Sequence, residues 1–130
     1  MKVVIVGGVA GGASAAARLR RLDEKTEIVI LERGAYISYA NCGLPYYLSG
    51  EIEKEEDLVV QTPELLGKRF NLDIRTNQEV MEINRIKKTV LIKDQIKNKT
   101  YEEKYDKLIL SPGAKPFIPP IEGLDADKVF

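Results

Sequence analysis

The sequence predicts an α/β fold: a doubly wound parallel sheet with a small antiparallel β-meander. Three observations predict it. An apolar strand at residues 2–6 runs into the glycine cluster Gly7-Gly8-Val9-Ala10-Gly11-Gly12 and then an alanine-rich helix. A second apolar run at 27–32 ends on the acid Glu32, twenty residues after Gly12. Three segments rich in β-formers, at about 79–83, 89–93 and 100–105, are separated by polar turns and read as the meander.

Strand, glycine turn, helix, strand and terminal acid together make a Rossmann-like dinucleotide grip. A tight turn after the first strand needs a residue free of Cβ crowding, which Gly7 supplies. A diphosphate has to approach the backbone at a helix N-terminus, where unpaired N–H groups and the dipole favour negative charge. Gly12 and the small residues from Ala13 to Ala17 let the helix lie close on the sheet, and Glu32 is placed to accept hydrogen bonds from a ribose. In the spacing G-x-G-x-x-G the middle position is Val9, so the backbone approach rests on Gly8 and on a valine held at negative φ. At this point NAD and FAD both remain open, and so does a glycine-rich turn with no ligand.

The first helix is expected from about 11 to 23, with Leu19 and Leu22 facing the sheet. Ser14, Arg18 and Arg21 share a different stripe. The arginines read most simply as cations complementing the helix C-terminus, or as a basic track for an anionic substrate. Strand two is apolar through Ile28 to Leu31, as a buried parallel strand should be. In the loop Ser38-Tyr39-Ala40-Asn41-Cys42-Gly43-Leu44-Pro45-Tyr46, Asn41 is a plausible N-cap and Pro45 suits a first helical turn. Cys42 then lies at or next to a helix N-terminus, a position that favours thiolate. Taken alone, a single cysteine reads more simply as a small hydrophobe.

The acidic stretch 51–57 reads as a solvated face. Thr62-Pro63 starts a short helix that carries Leu65, Leu66 and Phe70 inward. Residues 72–75 form a third parallel strand, and 108–110 return as a short apolar strand before Ser111-Pro112-Gly113-Ala114.

Composition narrows the classes further. In 130 residues, 20 basic and 20 acidic side chains cancel, so no nucleic-acid partner is indicated. A chain of this size buries about 68% of its unfolded surface. Histidine is absent, which excludes an imidazole base, a Ser-His-Asp triad and a His-containing metal site within these residues. No metal site is expected. One cysteine excludes an intrachain disulfide and fits a reducing compartment. The first apolar run is too short and too glycine-broken for a membrane segment, so the expected setting is the cytoplasm.

Residues 5–12, Glu32, 38–46 and Leu110-Ser111-Pro112-Gly113-Ala114-Lys115-Pro116 together resemble the N-terminal part of the single-cysteine flavoprotein disulfide reductases, a branch of the pyridine nucleotide-disulfide oxidoreductases. Within that branch the chain is most similar to the coenzyme A-disulfide reductases, including the rhodanese-fused and polysulfide-reducing forms. The resemblance implies FAD in this fold and NAD(P)H in a later one. It also implies that residues 1–120 are the first segment of an FAD-binding domain, with the meander at about 78–106, and that 121–130 begin the linker to an NAD(P)H-binding domain. The whole enzyme would be a homodimer, and these 130 residues alone would be inactive.

Carried over by position, Gly7, Gly8, Val9, Ala10, Gly11 and Gly12 hold the FAD diphosphate, and Glu32 holds the adenosine ribose. Arg33 and Val80 would flank the cofactor, with Val80 presenting its backbone to the adenine; Ser111, Pro112 and Gly113 would close over it. Cys42 is the redox-active thiol, adjoining the cofactor together with Asn41. Ser14, Arg18, Arg21, Ser38 and Asn41 would line a coenzyme A channel, with Lys68 and Arg69 as further candidates. The basic position after the short helix reads Phe70. In relatives with C-x-x-x-x-C the partner would fall at Tyr47, so the oxidised state implied here is a mixed disulfide or a sulfenic acid. The expected substrate is a small-molecule disulfide; the alternatives are an NADH oxidase or peroxidase cycling a sulfenic acid, and a non-enzymatic nucleotide-binding redox sensor.

Overall fold

A computed structural model describes residues 1–115, 117 and 119–122. The elements are β1 (Lys2–Val6), α1 (Ala10–Leu22), β2 (Glu27–Leu31), α2 (Leu44–Leu48), α3 (Pro63–Phe70), β3 (Asp73–Arg75), β4 (Gln78–Asn84), β5 (Thr89–Asp94), β6 (Lys99–Lys104) and β7 (Lys107–Leu110). Two 3-10 turns, Asn41–Gly43 and Glu55–Leu58, lie between β2 and α3. Most of the expected linker, from Gly123 on, and Pro116 and Ile118 lie outside the described residues.

Four strands form a parallel sheet in the order β3-β2-β1-β7, and β4-β5-β6 form the antiparallel meander. Side-chain alternation along the central strands divides the apolar residues between two cores. Val3, Ile5, Ile28 and Ile30 pack with Ala16, Ile37, Leu66 and Leu72 on the helix side. Val4, Val29 and Leu31 pack with Val90 and Ile92 of β5 on the other. The meander therefore covers the sheet face opposite α1 and α3, which explains why the central strands read as continuous apolar runs.

The structure corrects several local expectations. Leu22 is 66% exposed: at 3.6 residues per turn it stands ~120° around the helix from buried Ala16. Leu65 is 60% exposed while its neighbour Leu66 is buried, because Leu66 and Phe70 share the inward stripe at i and i+4. The start of α3 is as the sequence predicts, with the Leu65 N–H donating to Thr62 Oγ1 at 3.2 Å; Asn71, at φ of 48°, ends the helix.

Chain direction locates the ligand-binding end. From β1 the chain crosses to β2 on one side, whereas β7 joins β1 on the other. The crevice beyond the C-terminal ends of β1 and β7 is thus a topological switch point, where open α/β sheets bind ligands.

Candidate functional site

Gly7 leaves β1 with φ of +92°, and a Cβ there would stand 2.0 Å from the Ser111 carbonyl oxygen. Only glycine permits both the turn and the approach of β7. The Ser111 N–H donates to the Val6 carbonyl at 2.8 Å, and its hydroxyl reaches the Val6 and Gly7 carbonyls at 3.2 and 3.3 Å. Val9 precedes α1 at φ of −79°, the negative φ expected of it. No side chain caps this helix start, and its first turn has no acid. Its N–H groups are therefore left for an anion.

Glu32 ties the two loops together. Its Oε2 accepts the Gly8 N–H and its Oε1 the Gly34 N–H, both at 2.7 Å. Each carboxylate oxygen keeps a further lone pair for a ligand hydroxyl.

A cleft of about 520 Å³ is lined by Val9, Ala10, Gly11, Glu32, Asn41 and Ser111 to Gly113. A smaller recess of about 130 Å³ holds Gly7, Glu32, Arg33, Val80 and Pro112. The two adjoin at Glu32 and Pro112, and Gly7, Val9, Ala10, Gly11, Arg33, Asn41, Val80, Ser111 and Gly113 line one or the other. Gly8 and Gly12 line neither cavity and are buried in the glycine turn. Tyr36, Tyr39 and Glu55 also line the cleft; sequence reasoning passed over them, although the aromatic character of this loop was visible. The Tyr39 hydroxyl is raised above its ordinary value by burial first and by Glu55, Tyr36 and Tyr47 next. A larger hollow of about 820 Å³ adjoins across Tyr36 and Glu55, but the glycine turn does not line it.

Cys42 is exposed and stands in the 3-10 turn Asn41–Gly43, next to the cleft-lining Asn41. Asn41 is not the N-cap expected: its N–H donates to the Tyr39 carbonyl at 3.1 Å, and the turn starts without a side-chain cap. The 3-10 turn places Gly43, not Asn41, before α2. With five residues, α2 is too short to contribute much dipole to the thiol.

The expected substrate residues are less gathered. Ser14 and Arg18 are exposed on α1, and Ser38 sits at φ of 51° in the cysteine loop. Arg21 lies 5.5 Å from the Phe70 ring centre, and Arg69 lies 5.4 Å from it. With Lys68 these residues line a separate basic hollow of about 470 Å³. Arg21 lies in the last turn of α1 as expected, together with Arg20, but the hydrogen bonds to the helix end come from Arg20. Arg20 donates to the carbonyls of Asp23, Glu24, Phe70 and Asn71 at 2.6 to 3.2 Å, whereas Arg18 lies outside the last turn. Among the described residues, no helix is long and apolar enough to cross a membrane.

Comparison with known proteins identifies the family. The chain is 40% identical over 129 residues to a coenzyme A disulfide reductase from Staphylococcus haemolyticus, covering 99% of the chain and 29% of that protein. A solved structure of reduced Bacillus anthracis CoADR-RHD matches with a TM-score of 0.90 and 62% identity, over 92% of this chain and 22% of that one. A NAD-dependent persulfide reductase from A. fulgidus matches with a TM-score of 0.90 and 39% identity, over 98% and 24%. The chain thus spans under a third of the length of these relatives. The family model for pyridine nucleotide-disulphide oxidoreductases matches residues 1–130, and the chain belongs to that family of oxidoreductases.

Proposed function

We propose that these residues are the FAD-binding N-terminal portion of an NAD(P)H-dependent flavoprotein that reduces coenzyme A disulfide, or a persulfide or polysulfide, through Cys42. The observation that carries this reading is the cleft itself. Asn41, adjacent to Cys42, lines the same cavity as the start of α1 and the Ser111–Gly113 turn.

The residues present fit FAD. The cradle at Gly7 and Gly12 has no space for a Cβ, and the uncapped start of α1 would donate to the diphosphate. Glu32 would take the ribose hydroxyls, with Arg33 and Val80 beside the adenine. When bound, FAD supplies two-electron exchange between a nicotinamide and sulfur. The Cys42 thiolate attacks one sulfur of the substrate; that S–S bond breaks, a mixed disulfide forms on Cys42, and the other half leaves as a thiolate. Ser14, Arg18, Arg21, Ser38 and Asn41 would line the coenzyme A path, where cationic side chains hold phosphates.

Residues 1–120 form the first segment of the FAD domain in this reading, and the whole protein is a cytoplasmic homodimer. Cys42→Ser tests it: FAD stays bound, while disulfide-dependent NAD(P)H oxidation falls by about a thousandfold or more. Undiminished turnover overturns the reading. The intact mass of unreduced protein separates the substrates, since a coenzyme A adduct supports disulfide reduction and one added oxygen supports an oxidase or peroxidase.

A further inference from the structure

We propose that Leu58 is the positioning residue for Cys42, a buried pin on which the cysteine turn is seated. The inference rests on Cys42 being the reacting thiol, and it adds what holds that thiol in place.

Residues 38–60 form a loop closed at its neck. Tyr39 and Val59 make an isolated antiparallel bridge, and the Val60 N–H donates to the Ser38 carbonyl at 3.0 Å. Inside the loop, Leu58 ends the 3-10 turn Glu55–Leu58 and is 1% exposed. Among the described residues it belongs to neither of the two cores that flank the sheet. Its burial comes from the loop instead.

Leu58 holds the turn on both sides of Cys42. Before the cysteine, its carbonyl accepts the Ala40 N–H at 2.8 Å. After it, Leu58 Cδ2 lies 2.5 Å from where a Cβ on Gly43 would stand, with Ile52 Cδ1 at 3.5 Å. Gly43 has ordinary helical angles, φ −82° and ψ −15°, so no backbone requirement calls for glycine there. What a larger residue would meet there is the buried Leu58 side chain, which would have to move. The Gly43 N–H returns to the Ala40 carbonyl at 2.9 Å, closing the turn over the pin. Cys42, exposed itself, draws its position from this contact, because α2 beyond it has no buried residue.

The test uses the whole protein loaded with FAD, in the variants Leu58→Ala, Gly43→Ala and the double variant. Two rates are read: bleaching of the flavin by NAD(P)H in protein whose Cys42 has first been reduced with dithiothreitol, which does not use the thiol, and steady-state disulfide turnover, which does. Each single variant is expected to lower kcat for the disulfide by about tenfold, since misplacing a reacting group by an ångström can cost as much as ~100-fold. Flavin bleaching and KM for NAD(P)H should stay within about twofold. Adding Leu58→Ala to Gly43→Ala should recover at least about threefold in turnover, as the new methyl enters the vacated space.

Wild-type turnover in Leu58→Ala overturns the proposal. Equal losses in bleaching and turnover also overturn it, as does strict additivity in the double variant. Should Leu58→Ala not retain FAD, Leu58→Val is measured in the same way, and Leu58→Met is expected to restore turnover. Failure of the underlying reading would show separately, as turnover that survives Cys42→Ser.

Discussion

At the scale of single residues, the site is built largely from side chains that are missing. A Cβ on Gly12 would stand 1.8 Å from the Gly7 carbonyl oxygen and 3.0 Å from Ser111 Oγ. Both the turn and the β7 end would have to move to admit it, and the first obstacle is backbone. Gly12→Ala should therefore lower stability by about 3 kcal/mol, at the upper end of the cost of overpacking, and should weaken retention of FAD in the whole protein. Thermal unfolding and flavin absorbance after gel filtration check both. Gly12 was legible in the sequence because its spacing from Gly7 and from Glu32 is local. Arg20 was not: its four carbonyl acceptors include Phe70 and Asn71, fifty residues away, and a helical stripe cannot rank neighbouring arginines by distant partners.

At the scale of elements, the meander is joined to the sheet by apolar packing and by an ionic cluster. Glu103 of β6 meets Lys2 of β1 at 2.7 Å and Arg75 of β3 at 2.5 Å. Lys2 also reaches Glu27 at 2.7 Å, and Arg75 reaches Asp73 at 2.5 Å. Burial alone would raise the Glu103 carboxyl, but its hydrogen bonds to Lys2 and Arg75 outweigh burial and hold it below its ordinary value of 4.5. Folded protein thus binds this proton less readily than unfolded protein. The stabilisation is present above the unfolded value and is lost as pH falls through the folded one. Glu103→Gln should cost on the order of 1–2 kcal/mol at pH 7, as for a charge-assisted hydrogen bond. In urea unfolding, the gap between wild type and variant should narrow below about pH 4. A gap of the same size at pH 7 and pH 3 would refute the assignment.

At the scale of the whole molecule, order should fall from the sheet toward the cysteine loop. The interiors of β1 and β2 are almost wholly buried, whereas α2 buries none of its residues and leaves Leu48 and Tyr46 exposed. Amide exchange should accordingly be slowest in β1 and β2 and faster in α2 by at least about a hundredfold, reflecting local opening. The Ala40 and Gly43 amides, held around the Leu58 pin, should fall between these limits. Exchange in α2 as slow as in β1 would contradict this ordering. The strand runs, the α3 N-cap and the meander could all be anticipated from periodicity and turn residues. The inward stripe was misjudged at Leu22 and Leu65, where one helical step decides which face a side chain occupies.

Local residue types and spacings sufficed for the glycine turn, the acid that closes it, the parallel strands and the chain's likeness to flavin-dependent disulfide reductases. These features depend on steric demands within a few residues, or on motifs spaced along one strand-helix-strand unit. Only the tertiary structure decided that the meander forms the second face of the sheet and that Arg20 holds the end of α1. It alone brought Leu58 beneath Gly43. Contacts between residues distant along the chain follow from packing and loop closure, which no local pattern of residue types encodes.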